Sequence, residues 1–153
     1  IKQNINILDI KMQTVQYEGT RSVYNKEGVM IEPMIQILDS KNLGIGIEIT
    51  VQYTPKPNEA EIILARYGYN YFDKLINPII RDLVRDVSGQ YQAEEVALKR
   101  GAISKELGAR LKEKFETLPF TLNDVQLRNI DLPEIDQLPA EFKVNLVVEL
   151  YSK

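Results

Sequence analysis

The chain has 153 residues, of which 44% are hydrophobic and 27% are charged, and its formal net charge is −3. This length and composition are typical of one globular domain with a real core, which argues against intrinsic disorder. No clustered basic run points to nucleic acid, and the absence of cysteine and histidine excludes disulfides, thiolate or imidazole metal sites and His-dependent catalytic triads.

The first third of the chain has the alternation of apolar and polar residues that is typical of β-strands. The alternation runs through residues 5–14 with one slip of phase, which indicates a bulge or a change of partner. A second apolar run, 29–38, is broken by Pro33, which lacks the N–H for a ladder and favours an edge or a bulge. The clearest strand pattern covers residues 45–53.

After Pro57 the spacing of apolar residues changes to that of helices. Residues 59–67 predict a short helix that ends at Gly68. Residues 70–87 predict a second helix, in which Asn77-Pro78 either causes a kink or starts a new helix.

A third helix is predicted over residues 92–115, and residues 120–127 return to strand periodicity. Its large apolar stripe consists of Val96, Ile103, Leu107, Leu111 and Phe115. On its solvent side, Glu95/Lys99 and Glu106/Arg110 are expected to form ion pairs one turn apart. Strands grouped before three helices, with a final strand, indicate an α+β fold rather than a doubly wound sheet.

Residues 135–153 form a tail with strand periodicity, although Pro139 interrupts it. Its alternating apolar residues are Phe142, Val144, Leu146, Val148 and Leu150. A spacing of two is not the heptad of a coiled coil, so we expect the tail to add an edge strand to the sheet. The predicted organisation is therefore one domain over residues 1–134 followed by this tail.

The predicted third helix carries a stripe of small residues beside its large apolar stripe. The stripe consists of Ala93, Ala97, Gly101, Ser104 and Gly108. Each glycine inside a helix costs roughly 1 kcal/mol relative to alanine, so a compensating close approach of another backbone is expected. That partner is either the domain's own sheet or a second subunit.

Charged residues on the predicted second and third helices also have two interpretations. Arg81, Arg85, Asp86 and Arg100 either form ion pairs between subunits or are ordinary surface charges that contribute little each. The candidate residues for an oligomer interface are Ala97, Gly101, Ser104, Gly108, Arg81 and Arg85. The tyrosines at 67, 69 and 71 are expected in the core, at an interface or facing lipid.

No residue pattern predicts a catalytic, cofactor or metal site. Glu94 and Glu95 are adjacent, so on a helix they do not face each other and suit its first turn instead. Gly44-Ile45-Gly46 opens a strand rather than a helix, which does not fit a phosphate loop. A carboxylate-based hydrolase stays only as a remote alternative.

Several segments in order resemble prohibitin-like members of the Band 7 (SPFH) family. Tyr67-Gly68 followed by Pro78-Ile79-Ile80-Arg81 resembles the prohibitin pattern of a Tyr-Gly pair ahead of a Pro-Ile-Ile-Arg-like helix. Similar segments lie at residues 39–42, 53–55, 84–87, 90–95 and 125–133, with Arg100 and Ser104 where the family tends to have these residue types. The resemblance covers about residues 5–133.

The resemblance implies a curved antiparallel sheet with about three helices packed against it. It implies a non-enzymatic, membrane-associated scaffold that homo-oligomerises and organises lipids or membrane proteins, with an anchor that is absent from this otherwise soluble chain. The alternative is a module that regulates a membrane-bound AAA protease or another partner through a sheet edge, such as strand 45–53 or the tail. Neither cofactor nor nucleic acid is implied, and the tail departs from the family's charged coiled coil.

Overall fold

The computed structural model of the chain describes residues 8–132, in which six strands form one open sheet. The strands are β1 (Gln13–Gly19), β2 (Val23–Tyr24), β3 (Met30–Pro33), β4 (Ile35–Leu38), β5 (Gly44–Pro55) and β6 (Phe120–Asp131). β5 is the central strand, because β6 pairs along one side of it while β4 and β1 pair in succession along the other. Its apolar residues alternate into the core, as the sequence predicts.

The sheet is mixed rather than wholly antiparallel. Strands β1 and β3 run parallel, whereas every other pairing among the described strands is antiparallel. The run 29–38 is divided between β3 and β4 at Met34, whose N–H donates to the carbonyl of Gly19. A break at Pro33 is therefore confirmed, and it lets one segment pair with β1 and the next with β5.

Two predictions about the strands are wrong. Residues 8–12 are not part of a strand, because β1 begins only at Gln13 and leaves Ile10 and Met12 exposed. Residues 5 and 7 lie outside the described part of the chain. Strand 45–53 cannot offer an edge to a peptide, since β5 is paired on both sides.

The helices follow β5 and precede β6. They are α1 (Ala60–Arg66), α2 (Asn77–Ser88), α3 (Ala93–Leu98) and α4 (Arg100–Glu116). Gly68 ends α1 with φ 76°, and its N–H donates to the carbonyls of Ile63 and Leu64. The predicted stop at this glycine is confirmed, because the left-handed backbone there suits a residue without a side chain.

The segment before Pro78 is a π-helical turn, Phe72–Ile76, that leads directly into α2. The N–H of Asn77 donates to the carbonyl of Phe72, five residues back. Pro78 then stands in the first turn of α2, where the missing N–H costs least. The side chain of Asn77 does not cap this helix; it is bonded elsewhere, as described below.

The predicted third helix is divided into α3 and α4 at Lys99, whose φ of −99° and ψ of 27° leave helical geometry. α3 starts with a capping box, in which the side chain of Glu95 accepts the backbone N–H of Gln92. The division has a tertiary cause, because the start of α3 is bonded to the turn after β4 and α4 is bonded to β6. Sequence periodicity does not register such restraints.

The core lies between the sheet and the helices. All the residues of the predicted apolar stripe of the third helix are buried: Val96, Ile103, Leu107, Leu111 and Phe115. Tyr53, at the centre of an aromatic cluster, packs edge-on against Tyr71, Phe115 and Phe120. The α+β class is confirmed, and the helices cover one face of the sheet.

Candidate functional site

Arg81 and Arg85 lie one turn apart on α2 and donate to carbonyls of the neighbouring sheet edge. The Arg81 guanidinium lies 3.2 Å from the carbonyl oxygen of Pro33, and Nε of Arg85 lies 3.4 Å from that of Gln36. Pro33 is the last residue of β3 and lies beyond the residues that pair with β2, whereas Gln36 belongs to β4, which among the described strands pairs only with β5. Arg81 therefore fixes the end of β3 and Arg85 covers part of the open edge of β4, roles that sequence reasoning did not foresee.

Arg81 also compensates a buried acid. Glu32 is 5% exposed, and its carboxylate lies 3.7 Å from the Arg81 guanidinium and accepts a hydrogen bond of 2.9 Å from Ser22. The Arg81 guanidinium stacks 5.1 Å from the ring centre of Tyr17, whose hydroxyl donates to Asn77. Burial raises the pKa of Tyr17, so this hydroxyl stays a donor. Arg81 is thus part of a connected polar group rather than an ordinary surface charge.

Arg100 and Ser104 on α4 repeat this arrangement at the opposite edge. The Arg100 guanidinium donates to the carbonyl of Arg128 at 2.9 Å, and the N–H of Leu127 donates to the Ser104 hydroxyl at 3.0 Å. Both contacts use main-chain groups of β6 that point away from β5. One turn of α4 therefore closes the half of the β6 edge nearest its C-terminal end.

Removing the Ser104 hydroxyl gives a small and specific prediction. Ser104→Ala is expected to lower the free energy of unfolding by about 1 kcal/mol, because the half-buried N–H of Leu127 loses its acceptor. Amide hydrogen exchange should speed up at Leu127. Ser104→Thr keeps the acceptor and serves as the control; an equal loss in both variants would contradict the role assigned to the hydroxyl.

The stripe of small residues divides into two parts in the structure. Ala93 is fully buried and Ala97 is half-buried, whereas Gly101 and Gly108 face open space. A methyl group added at either glycine would meet no atom within 4 Å. Packing on the domain's own sheet therefore does not explain these two glycines.

A shallow groove runs between α4 and β6 beside Gly108. Its walls are formed by Ser104, Lys105, Gly108 and Lys112 on the helix and by Leu122, Asn123, Asp124 and Val125 on the strand. It lies next to the part of the β6 edge that α4 leaves uncovered. Of the candidate interface residues, Ala97 lies on α3, Gly101, Ser104 and Gly108 lie on α4, and Arg81 and Arg85 lie on α2.

Asp39 is a second buried acid whose role the sequence analysis missed. Its carboxylate accepts the N–H groups of Lys41 at 2.9 Å, Leu43 at 2.8 Å and Ala93 at 2.9 Å. One side chain therefore holds both the β4–β5 turn and the start of α3. The available signal was an aspartate just ahead of Lys41-Asn42, because an aspartate at the start of a turn commonly bonds the backbone two residues on.

Ion pairs predicted along the third helix are only partly confirmed. Glu95 and Lys99 lie 3.4 Å apart, as expected. Arg110 instead pairs with Asp86 of α2 at 3.2 Å, and Glu106 accepts from the hydroxyl of Tyr91, so the predicted Glu106/Arg110 pair is wrong. Glu106 and Arg110 are therefore bonded to residues outside α4 rather than to each other.

The three tyrosines fall into different environments. Tyr71 is buried in the aromatic cluster, Tyr67 packs half-buried against the core, and Tyr69 is about half exposed. Burial raises the pKa of Tyr71, so it stays protonated. Tyr69 lies beside Tyr24, another exposed aromatic, at the rim of a small pocket. These side chains line a surface with an apolar body and polar tips.

Three acidic side chains of the described residues serve structural contacts. Glu32 and Asp39 are both engaged in structural hydrogen bonds, and Glu95 closes a helix cap. Within residues 8–132, no three acidic side chains are grouped closely enough to hold a metal ion. Across the same residues, no helix has both the length and the apolar character needed to cross a membrane.

Comparison with known proteins gives concordant matches. The family described as "SPFH domain / Band 7 family" matches residues 1–138. "Prohibitin-1, mitochondrial" of Arabidopsis thaliana is 26% identical over 92 residues, covering 60% of this chain and 31% of that protein. "Prohibitin 1" of Drosophila melanogaster is 24% identical over 108 residues, covering 70% of this chain and 39% of that protein.

A third relative, "Mitochondrial prohibitin complex protein 1" of Caenorhabditis elegans, is 22% identical over 96 residues, covering 62% of this chain and 35% of that protein. The chain thus spans about a third of the length of the curated relatives it matches. The matched family covers the sheet and all four helices described above.

Proposed function

Because the chain belongs to the SPFH domain / Band 7 family, we propose that it is the assembling domain of a non-enzymatic, membrane-associated scaffold that forms homo-oligomers. Such a scaffold organises lipids or membrane proteins through the regular arrangement of its subunits on the membrane. Individually weak contacts between copies add up when many copies share a ring and a membrane surface. This matches a domain whose buried acids are used for structure rather than for catalysis.

The observation that carries the proposal is the open face around Gly101 and Gly108. Two glycines in one helix weaken it, and none of residues 8–132 occupies the space above them. A neighbouring copy that approaches α4 closely would supply the missing compensation. Ser104 lies about one turn from each glycine on α4, and Ala97 precedes Gly101 by four residues at the end of α3, so both extend the proposed contact. By contrast, Arg81, Arg85 and the Ser104 hydroxyl are already bonded inside the domain.

Glycine substitutions separate folding from assembly. Gly101→Ala and Gly108→Ala are each expected to raise the free energy of unfolding of the monomer by about 0.5–1 kcal/mol, because alanine favours the helix and its methyl group meets no atom. Gly101→Leu and Gly108→Leu are expected to leave the monomer at least as stable but to raise the concentration needed for assembly about tenfold or more. Chemical denaturation and sedimentation velocity measure the two effects.

Ala102 and Ala109 provide the matched control, since they are exposed and each follows one of the glycines on α4. Ala102→Leu and Ala109→Leu enlarge a different side of the same helix and should leave assembly unchanged. If the leucines at 101 and 108 unfold the monomer, or if both pairs of variants assemble equally well, the proposed contact is rejected.

The second candidate function is a module that regulates a membrane-bound AAA protease, or another partner, through a sheet edge. The observation that favours it is the half of the β6 edge, near Val125, that α4 leaves uncovered. An extended peptide could add to such an edge by main-chain hydrogen bonds. A monomer that binds a peptide without assembling on membranes would favour this function over the scaffold.

A further inference from the structure

The uncovered half of the β6 edge has the main-chain groups that an added strand needs. The N–H of Leu127 points away from β5 toward Ser104. The register between β5 and β6 is regular from Gln52↔Asp124 to Ile49↔Leu127, so the N–H and carbonyl of Val125, two residues earlier, face the same outer side. Within residues 8–132, no other element bonds to these groups of Val125.

The groove beside this edge suits a strand with one apolar face. Leu122 and Val125 supply apolar surface, and Gly108 leaves room on the helix side, with Lys105 and Lys112 at the rim. A strand added in plane with β6 would turn one set of alternating side chains toward α4 and the other toward the polar face of the sheet. The groove therefore favours a segment whose alternate residues form one continuous apolar face.

The chain itself contains such a segment after the described residues. From 142 to 150, apolar side chains occupy every even position, and Lys143, Asn145, Val147 and Glu149 lie between them, so three of the four odd positions are polar. The segment is joined to β6 through residues 133–141, which can extend to about 30 Å. That reach is enough to carry it past the end of its own β6.

We infer that residues 142–150 of one copy add as a strand to the β6 edge of a second copy, filling the groove beside Gly108. This inference rests on the proposed homo-oligomer and names the occupant of its contact. The neighbouring copy is favoured over the same copy because Arg100 and Ser104 close the half of the edge nearest the tail's own starting point.

The chain has no cysteine, so introduced thiols report on this contact without background. Lys112→Cys and Val144→Cys, which in the inferred arrangement both face the groove, are made in separate copies of the chain, mixed, and treated with a short bis-maleimide. We expect a product that joins two chains. Lys74→Cys, on the exposed π-helical turn away from the groove, replaces Lys112→Cys in the control and should give none. Leu146→Lys in the tail chain should abolish the product, because it places a charge in the apolar face.

The same two cysteines placed in one chain distinguish the outcomes. A product within a single chain, or no product at all, overturns the inference. Sedimentation of the same samples shows independently whether the chains assemble, which tests the proposed function. If assembly depends on Gly101 and Gly108 but no crosslink forms, the proposed scaffold is retained and the role of the tail is rejected. Loss of assembly in every sample counts against the scaffold and against the tail contact.

Discussion

Replacing Arg81 with alanine is expected to lower the free energy of unfolding by about 3 kcal/mol, because the buried carboxylate of Glu32 then lacks its cation. The same change removes the hydrogen bond to the carbonyl of Pro33 and the stacking on Tyr17. Urea unfolding of the full chain measures the loss. A change below about 1 kcal/mol would show that Glu32 is satisfied without Arg81.

Arg85→Ala is the matched control, since Arg85 lies one turn further along α2 and makes the same type of bond. Its side chain is 50% exposed and its bond to Gln36 is longer, so the expected loss is below about 0.5 kcal/mol. In the double variant Arg81→Met with Glu32→Gln, neither charge remains. Much of the stability should return, because the main cost of Arg81→Ala is an unpaired buried charge.

Asp39→Ala is expected to have an effect of similar size, about 3 kcal/mol, because three backbone N–H groups lose a charged acceptor. The loss should be uneven along the chain. Hydrogen exchange is expected to accelerate at Ala93 and in the β4–β5 turn before other parts of the domain, since these segments are joined through this side chain.

Asp39→Asn refines this test. Its amide oxygen can still accept from Lys41 and Leu43, but the amide nitrogen cannot accept from Ala93, so the turn should be retained and the start of α3 loosened. Stability between that of the wild type and Asp39→Ala is therefore expected. Equal exchange at Ala93 in all three proteins would contradict the proposed link.

The sequence predicted those parts of the fold that depend on local pattern. The alternation in β5, the stop at Gly68 and the buried stripe of α4 each follow from residue spacing or backbone preference alone. The division at Lys99 and the parallel pairing of β1 with β3 depend on contacts between distant segments. Periodicity within one segment carries no information about such contacts.

The contacts of the candidate site also depend on distant segments, which sequence pattern alone does not reveal. Sequence alone gave Arg81, Arg85 and Ser104 as candidate interface residues, but it could not show that their partners are main-chain groups of the domain's own strands. The opposite holds for Gly101 and Gly108, where packing within the domain was the simpler interpretation. The open space above both glycines is visible only in three dimensions.

Closing sheet edges from within also has a consequence for assembly. An edge that is bonded to arginine and serine side chains cannot pair freely with any passing strand, which limits nonspecific aggregation. Part of the β6 edge, near Val125, stays uncovered by α4 beside the groove.

The proposed scaffold depends on copies meeting through the glycine face of α4 on a membrane. The most direct measurement attaches the chain by an N-terminal histidine tag to vesicles that carry a nickel-chelating lipid, and counts subunits per cluster by single-molecule photobleaching. Closed clusters of many subunits are expected for the wild type and for Ala102→Leu/Ala109→Leu, with mostly single chains for Gly101→Leu/Gly108→Leu. Single chains in all three samples, or clusters of equal size in all three, would contradict the account.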